Sequence, residues 1–220
     1  QLNVDEPTIE SRGQLYMWMR SVIAITQPKV FVAENVKGLT NLGQVKQVIE
    51  ADFSSISDDG YFVFPARVLL AANYGVSQSR ERVIFIGVRK NALKPGVLEK
   101  LEQIESFPEL DPYPQKTHTS TCESGTLPYV TVGEVLSDLE EPENSDDIDQ
   151  QRYSKAKFMG KHCQGQIEVD LNGIAPTIRA EHHGNIEFRR LSRENGGSHF
   201  TELDEGKKQR RLTIRECARI

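Results

Sequence analysis

Two short stretches carry residue types that could do chemistry. In "KVFVAENVKGL" the acid–amide pair Glu34-Asn35 follows four apolar residues, Val30 to Ala33. In "QSRERVIFIGVR" the pattern Gln78-x-Arg80-x-Arg82 precedes a second apolar run. Ligands of open α/β sheets bind beyond the carboxyl ends of the strands, which is where Glu34 would stand. Beside an apolar strand a carboxyl can be held protonated or can accept from a ligand donor. Arginines offer planar donors to a phosphate or a developing oxyanion. At i, i+2, i+4 in extended backbone, Gln78, Arg80 and Arg82 would share one face. The plain alternative is that Glu34 pairs with a surface lysine and both arginines are solvated.

The elements that must position these residues follow from periodicity. "QLYMWMRSVIAI" repeats Leu15, Met19, Val22 and Ile23 at helical spacing, and Gln27-Pro28 ends that helix. Val30–Ala33 predicts a strand covered on both faces. Val45, Val48, Ile49, Phe53 and Ile56 mark a second amphipathic helix, stopped by Asp59-Gly60. "YFVFPARVLLAANYG" reads as a strand whose Pro65 implies an edge or a bulge, and Val83–Arg89 as a buried strand. This order describes half of an α/β sheet. Residues 91–130 show no clear period. Helices with capping boxes are predicted at Thr131/Glu134 and Thr213/Glu216. The stretch "GQIEVDLNGIAPTIRAEHHGNIEFRRLS", broken by Gly, Pro and Asn-Gly, predicts small β-hairpins.

The net charge of −5 is unevenly spread. Residues 1–98 hold 11 Lys+Arg against 9 Asp+Glu, a balance of +2. Residues 99–149 hold 2 against 14, a balance of −12, and residues 150–220 hold 14 against 9, a balance of +5. The whole-chain pI therefore misleads about nucleic-acid binding, and the acidic middle reads as a solvated linker. Cys122, Cys163 and Cys217 are far apart and form no CxxC, which points to a reducing compartment and gives neither a disulfide framework nor a zinc site. His182-His183 lacks supporting ligands at metal spacing, so no metal is expected. No run reaches the length of a membrane span.

In order, "RGQLY", "ENV", "NYGVSQSRERVIFIGVR" and "RRLTIRECARI" resemble the motifs of the DNA (cytosine-5) methyltransferase family, from about Arg12 to Ile220. The resemblance implies a partial Rossmann-like class I methyltransferase α/β sheet with helices, plus a small irregular β-rich target-recognition domain. The segments would be 1–98 for the C-terminal half of the catalytic domain, 99–205 for linker and recognition domain, and 206–220 for the return to the catalytic domain. It implies that a cytosine is flipped from the duplex and methylated at C5 from S-adenosylmethionine through a covalent cysteine–C6 adduct. Glu34 would hydrogen-bond N3 and the amino group of the flipped base, and Asn35 would hold that loop. Arg80 and Arg82 would bind the flipped nucleotide and orient the nucleophile's loop. Leu15 would pack near the cofactor, and Arg211 to Arg215 would frame the recognition domain. Thr177-Ile178 matches a Thr-aliphatic pair of these recognition domains. With Gln78, the residues Arg179, Arg189, Arg190 and Arg193 could contact phosphates or guanine edges, and His182, His183 and Asn185 could donate or accept. Gly184, Gly196 and Gly197 would let backbone approach the DNA.

The sequence departs from the family's pattern at decisive points. It contains no Pro-Cys-Gln nucleophile motif, no glycine-rich cofactor loop and no closing Asn motif. The three cysteines lack the nucleophile's context and read as packed thiols. The expectation is a piece of an enzyme that alone neither methylates DNA nor holds S-adenosylmethionine tightly. The intact protein is expected to be a monomer acting on double-stranded DNA in the bacterial cytoplasm, at the nucleoid, within a restriction–modification system. The competing readings are a split or degenerate half that binds DNA without catalysis, and an unrelated nucleotide-binding α/β protein.

Overall fold

The computed structural model describes residues 16–41, 44–121, 125–162, 165–179 and 186–220. These form two compact units: residues up to Leu69 together with Glu81–Gln115, and Leu70–Arg80 together with Lys116–Ile220. Residues 99–115 pack in the first unit, because Leu101 and Tyr113 close one face of its sheet. Residues 206–220 belong to the second, where Leu212 and Ile220 enter the core.

The first unit begins with α1 (Tyr16–Thr26), which buries Ile23 and turns Tyr16, Met19 and Ala24 toward the core. It ends at Gln27, whose φ of 41° leaves the helical region, followed by Pro28. Strand β1 (Val30–Val36), helix α2 (Val45–Ser54) and strands β2 (Tyr61–Val63), β3 (Arg67–Leu70) and β4 (Glu81–Arg89) follow. The sheet order is β1-β4-β2, antiparallel at both contacts, with β3 also pairing β4. The single strand expected around Pro65 is thus two, interrupted at Phe64–Ala66, because proline cannot donate to the ladder.

One sheet face packs on α1 and α2 through Phe31, Phe53, Tyr61 and Phe85, with edge-on ring pairs at 5.1 Å (Phe31–Phe53) and 5.8 Å (Phe53–Phe85). Phe31 lies across from Gly87 in the register, and a Cβ on Gly87 would overlap the Phe31 ring. The Tyr16 hydroxyl donates to Asp52 Oδ2 at 2.6 Å, joining α1 to α2; that bond and burial push the phenol up to about 12.

The other face of β4, from Ile84 to Val88, is covered by Phe64, Leu101 of α3 (Val97–Glu102) and Tyr113, whose hydroxyl donates to the Ile84 carbonyl at 3.0 Å. Among the described residues that cover does not extend over β1. Instead of burial on both faces, β1 alternates: Phe31 and Ala33 are buried, whereas Val30, Val32 and Val36 are exposed. The outer stripe of α1 is also apolar and open, with Val22, Ile25 and Trp18, the last 74% exposed.

The second unit has little regular structure. Its core gathers Val132 and Leu136 of α4 (Val132–Leu136) with Val169, Ala175, Ile186, Leu212 and Ile220. Both expected capping boxes form. The Glu134 N–H donates to Thr131 Oγ1 at 3.2 Å, and the Glu216 N–H to Thr213 Oγ1 at 3.0 Å, opening α7 (Ile214–Arg219). The remaining elements are β5 (His118–Thr119) paired parallel with β6 (Leu127–Pro128), α5 (Ile148–Gln151), β7 (Phe188–Arg190) paired antiparallel with β8 (Arg210–Arg211), and α6 (Phe200–Asp204). Among the described residues the expected hairpins are replaced by pairing between distant segments. Phe188, for example, bonds through its backbone to Ile167 and Val169. Asn172-Gly173 does make a turn, with the Gly173 N–H bonded to the Asp170 carbonyl, but its arms pair elsewhere. No helix among the described residues is long and apolar enough to cross a membrane.

Candidate functional site

In the first unit, antiparallel pairing sets Glu34 opposite Ile84 and Val36 opposite Arg82. Glu34 and Arg82 are therefore diagonal neighbours on one face, within reach of long side chains. Arg82 Nε lies 2.5 Å from Glu34 Oε1, and Arg82 Nη1 donates to the Glu81 carbonyl at 2.8 Å. The guanidinium is largely covered while the Glu34 side chain stays 49% exposed, so a fixed cation aims an open carboxylate. Next to it on β4, Glu81 pairs with Lys37 at 2.7 Å. Strand alternation turns Asn35 to the opposite face from Glu34. Its Oδ1 accepts from the Val36 N–H at 2.8 Å, tying down the strand's exit.

In the second unit, Gln78 and Thr177 come together. The segments 77–79 and 175–178 run parallel, with Gln78 bridged to Ala175. The Ala175 N–H donates to the Ser77 carbonyl at 3.0 Å, and the Ser79 N–H to the Ala175 carbonyl at 2.8 Å. Side chains add two links: Gln78 Oε1 accepts from the Ile178 N–H at 3.2 Å, and Thr177 Oγ1 donates to the Ser79 carbonyl at 3.3 Å. Two arginines flank this lacing. Arg80 is half-buried and Arg179 exposed, and neither guanidinium makes a hydrogen bond or ion pair among the described residues. Ile178 and Arg179 also line a cleft of about 400 Å³ with Tyr153, Ile186, Leu212 and Cys217.

Arg189 and Arg190 stand differently from the expected surface contacts. They are 8% and 0% exposed. Arg189 makes a two-pronged bond to Glu202 at 2.6 and 3.1 Å, and Arg190 bonds Glu202 at 2.7 Å and Glu141 at 3.0 Å. Arg210 completes the group, with 2.8 Å bonds from both Nη atoms to Glu216 and a 2.9 Å bond from Nε to Glu141. Burial alone would raise the Glu141 and Glu202 carboxyls, but the arginine bonds and charges hold both below the usual carboxylate range. Arg211 is buried as well, its guanidinium donating to the carbonyls of Ala156, Gly165 and Ile186 and lying 4.0 Å from the centre of the Phe188 ring. These arginines build the interior of the unit. Arg193 remains at the surface, paired with Asp204.

Sequence reasoning missed the acidic partners Glu141, Glu202, Glu216 and Glu168. Glu168 is nearly buried and accepts from the N–H groups of Leu191 and Ser198 at 2.7 Å. The usable signal was the opposition of an acidic block at 99–149 and a basic one at 150–220. The acidic block is no free linker, since Asp138 pairs with Arg219, Asp147 and Asp149 with Arg215, and Glu141 with Arg190 and Arg210.

Comparison with known proteins settles the family. The family model for C-5 cytosine-specific DNA methylase matches residues 7–220. The chain belongs to that family.

Among its relatives, this methylase-family chain is 35% identical over 228 residues to the type II methyltransferase M.NgoFVII of Neisseria gonorrhoeae, covering 98% of the chain and 55% of the relative. It is 31% identical over 221 residues to M.BsuRI of Bacillus subtilis, covering 96% and 43%. The chain thus spans about half the length of the curated relatives it matches. A solved chain described as a putative DNA modification methyltransferase encoded within an E. coli prophage covers 96% of this chain and 63% of its own length, at TM-score 0.48 and 20% identity. Of the residues the resemblance singles out, Leu15, His182, His183, Gly184 and Asn185 lie outside the described residues, as do Cys122 and Cys163.

Proposed function

We propose that these residues form part of a type II DNA (cytosine-5) methyltransferase of a bacterial restriction–modification system, acting in the cytoplasm on double-stranded DNA. The observation that carries this reading is the Glu34–Arg82 pair, an exposed carboxylate held at 2.5 Å by a covered guanidinium at the end of an apolar strand. Such a carboxyl, fixed before the substrate arrives, is suited to accept from the exocyclic amino group of an everted cytosine and, when it carries a proton, to donate to N3. It would stabilise the charge that grows on the ring as the family's cysteine adds to C6. Arg82 keeps the Glu34 carboxyl from rotating, and Asn35 ties the backbone just beyond it. Arg80 and Arg179 have donors to spare for phosphates, the commonest role of arginine on DNA. S-adenosylmethionine supplies the methyl group in this family. The residue assigned to it on this chain, Leu15, lies outside the described residues.

Because none of its cysteines stands in a Pro-Cys-Gln context, the 220-residue chain alone is proposed to bind DNA without methylating it. The test uses the whole natural protein with duplex DNA and labelled S-adenosylmethionine. The expected result is label at C5 of cytosine, with Glu34→Ala slowing transfer by about 10²–10³, the size of losing one preorganised transition-state donor or acceptor. A whole protein that binds DNA but transfers no methyl would favour the second reading, a recognition half without catalysis. Full activity in Glu34→Ala would remove the role given to that residue.

A further inference from the structure

Outside the Glu34–Arg82 pair and the arginine core, segments 77–79 and 175–178 are laced together by backbone and side-chain hydrogen bonds. We propose that Gln78 is a positioning residue rather than a DNA contact, and that it sets the register of the segment carrying Arg179 against the segment carrying Arg80. This deepens the DNA-binding reading above and rests on it.

Gln78 is 8% exposed, and Ser77 and Ala175 beside it are fully buried. A side chain so enclosed is poorly placed to read a base edge, yet its Oε1 has a defined task. It accepts the Ile178 N–H at 3.2 Å, which fixes the amide's orientation, since only the oxygen can accept. Without it, that N–H at the exit of the parallel bridge has no acceptor among the described residues. The backbone bonds of the bridge fix Ser77, Ala175 and Ser79, and end there. Beyond them the only direct links between the segments are side-chain ones, Gln78 to Ile178 and Thr177 to Ser79. The two guanidiniums, which make no hydrogen bond or ion pair among the described residues, follow on each segment, Arg80 two residues after Gln78 and Arg179 one residue after Ile178. The spacing between the two cationic groups along a nucleic-acid backbone is thus held by a hydrogen bond that touches neither.

The test replaces Gln78 with Leu and, separately, with Glu in the full chain. Leucine keeps the volume and cannot accept. Glutamate keeps an acceptor at the same reach. The backbone bridge is independent of this side chain, so both variants are expected to fold. Hydrogen exchange at the Ile178 amide should quicken by about 2- to 12-fold in Gln78→Leu, the worth of one ordinary hydrogen bond, and return toward the parent rate in Gln78→Glu. Binding to random-sequence duplex DNA is read as log affinity against log salt, in which each lost phosphate contact lowers the slope by about 0.9. Gln78→Leu should weaken binding and lose about one contact's worth of slope, as Arg179→Ala should. The double variant Gln78→Leu/Arg179→Ala should be no weaker than Arg179→Ala alone, because both changes remove the same contact. An unchanged Ile178 exchange rate in Gln78→Leu overturns the proposal, and so do losses that simply add in the double variant. If the parent chain binds no duplex at low salt, the DNA-binding reading fails. The exchange arm then still decides whether Gln78 sets the segment's register.

Discussion

The arginine core of the second unit makes a quantitative claim that Arg210→Met can test. In the native structure both Nη atoms of Arg210 donate to Glu216 at 2.8 Å, and Nε donates to Glu141 at 2.9 Å. The side chains of Arg210 and Glu216 are 4% and 3% exposed. Methionine fills the space of the stem but removes every donor. Glu141 would keep Arg190 as a partner at 3.0 Å. Among the described residues the Glu216 carboxylate would keep only the Thr213 N–H at 2.9 Å and Arg189 at 3.9 Å. Breaking one side of a buried ion pair costs about 3–5 kcal/mol, and the surviving partners place this case near the lower end. A loss of about 3 kcal/mol is roughly a 100-fold rise in the opening constant. Hydrogen exchange followed by mass spectrometry reads it in peptides from 186–220 and 131–152 at neutral pH, without requiring the two units to unfold together. Adding Glu216→Gln, which keeps an acceptor for the capping box but carries no charge, should restore at least half of the lost protection. Protection in Arg210→Met within threefold of the parent would refute the claim that this pair holds the unit. So would a double variant no better than the single one.

Two further outcomes follow from the same geometry. Glu141 and Glu202 have folded-state pKa values held below the usual range, so their stabilisation is present above the unfolded carboxyl value of about 4.3 and is lost as pH falls through the lower folded values. These two carboxyls should therefore add no pH dependence to the second unit between about pH 7 and 5 and weaken its protection below about pH 4, so replacing both with Gln should remove the acid transition; a transition below pH 4 that persists in Glu141→Gln/Glu202→Gln would contradict the assignment. In the first unit, Gly87→Ala must push the Phe31 ring away, at a cost of about 1–3 kcal/mol for overpacking, visible as a lower denaturation midpoint by circular dichroism. An unchanged midpoint would mean the ring moves without strain.

The sequence displayed some of this clearly. Helix α1 and its stop, helix α2, the strand at Val83–Arg89 and both capping boxes follow from spacing and cap chemistry, which act over a few residues. What stayed hidden depends on which distant segments meet. The apolar run Val30–Ala33 reads the same whether one face or both are covered, and only the sheet order shows that the outer side of β1 is open. Arg189 and Arg190 sit among glycines and histidines in the sequence, a setting that suggests a binding loop. Their burial depends on Glu141 and Glu202, 49 and 12 residues from Arg190. Gln78 announced itself as one of a polar trio, but its bond to Ile178 spans 100 residues. Local patterns cannot show whether a polar group meets solvent or a far-off amide.

Trp18, the sole indole of the chain, stands 74% open on the outer stripe of α1. The protein therefore carries its own optical reporter where its apolar surface meets water. Its emission belongs to a solvated ring, and shifts toward the blue if another macromolecule covers that stripe. Trp18 belongs to the first unit and Arg179 and Glu141 to the second, so a titration followed at Trp18 reads the α1 surface itself.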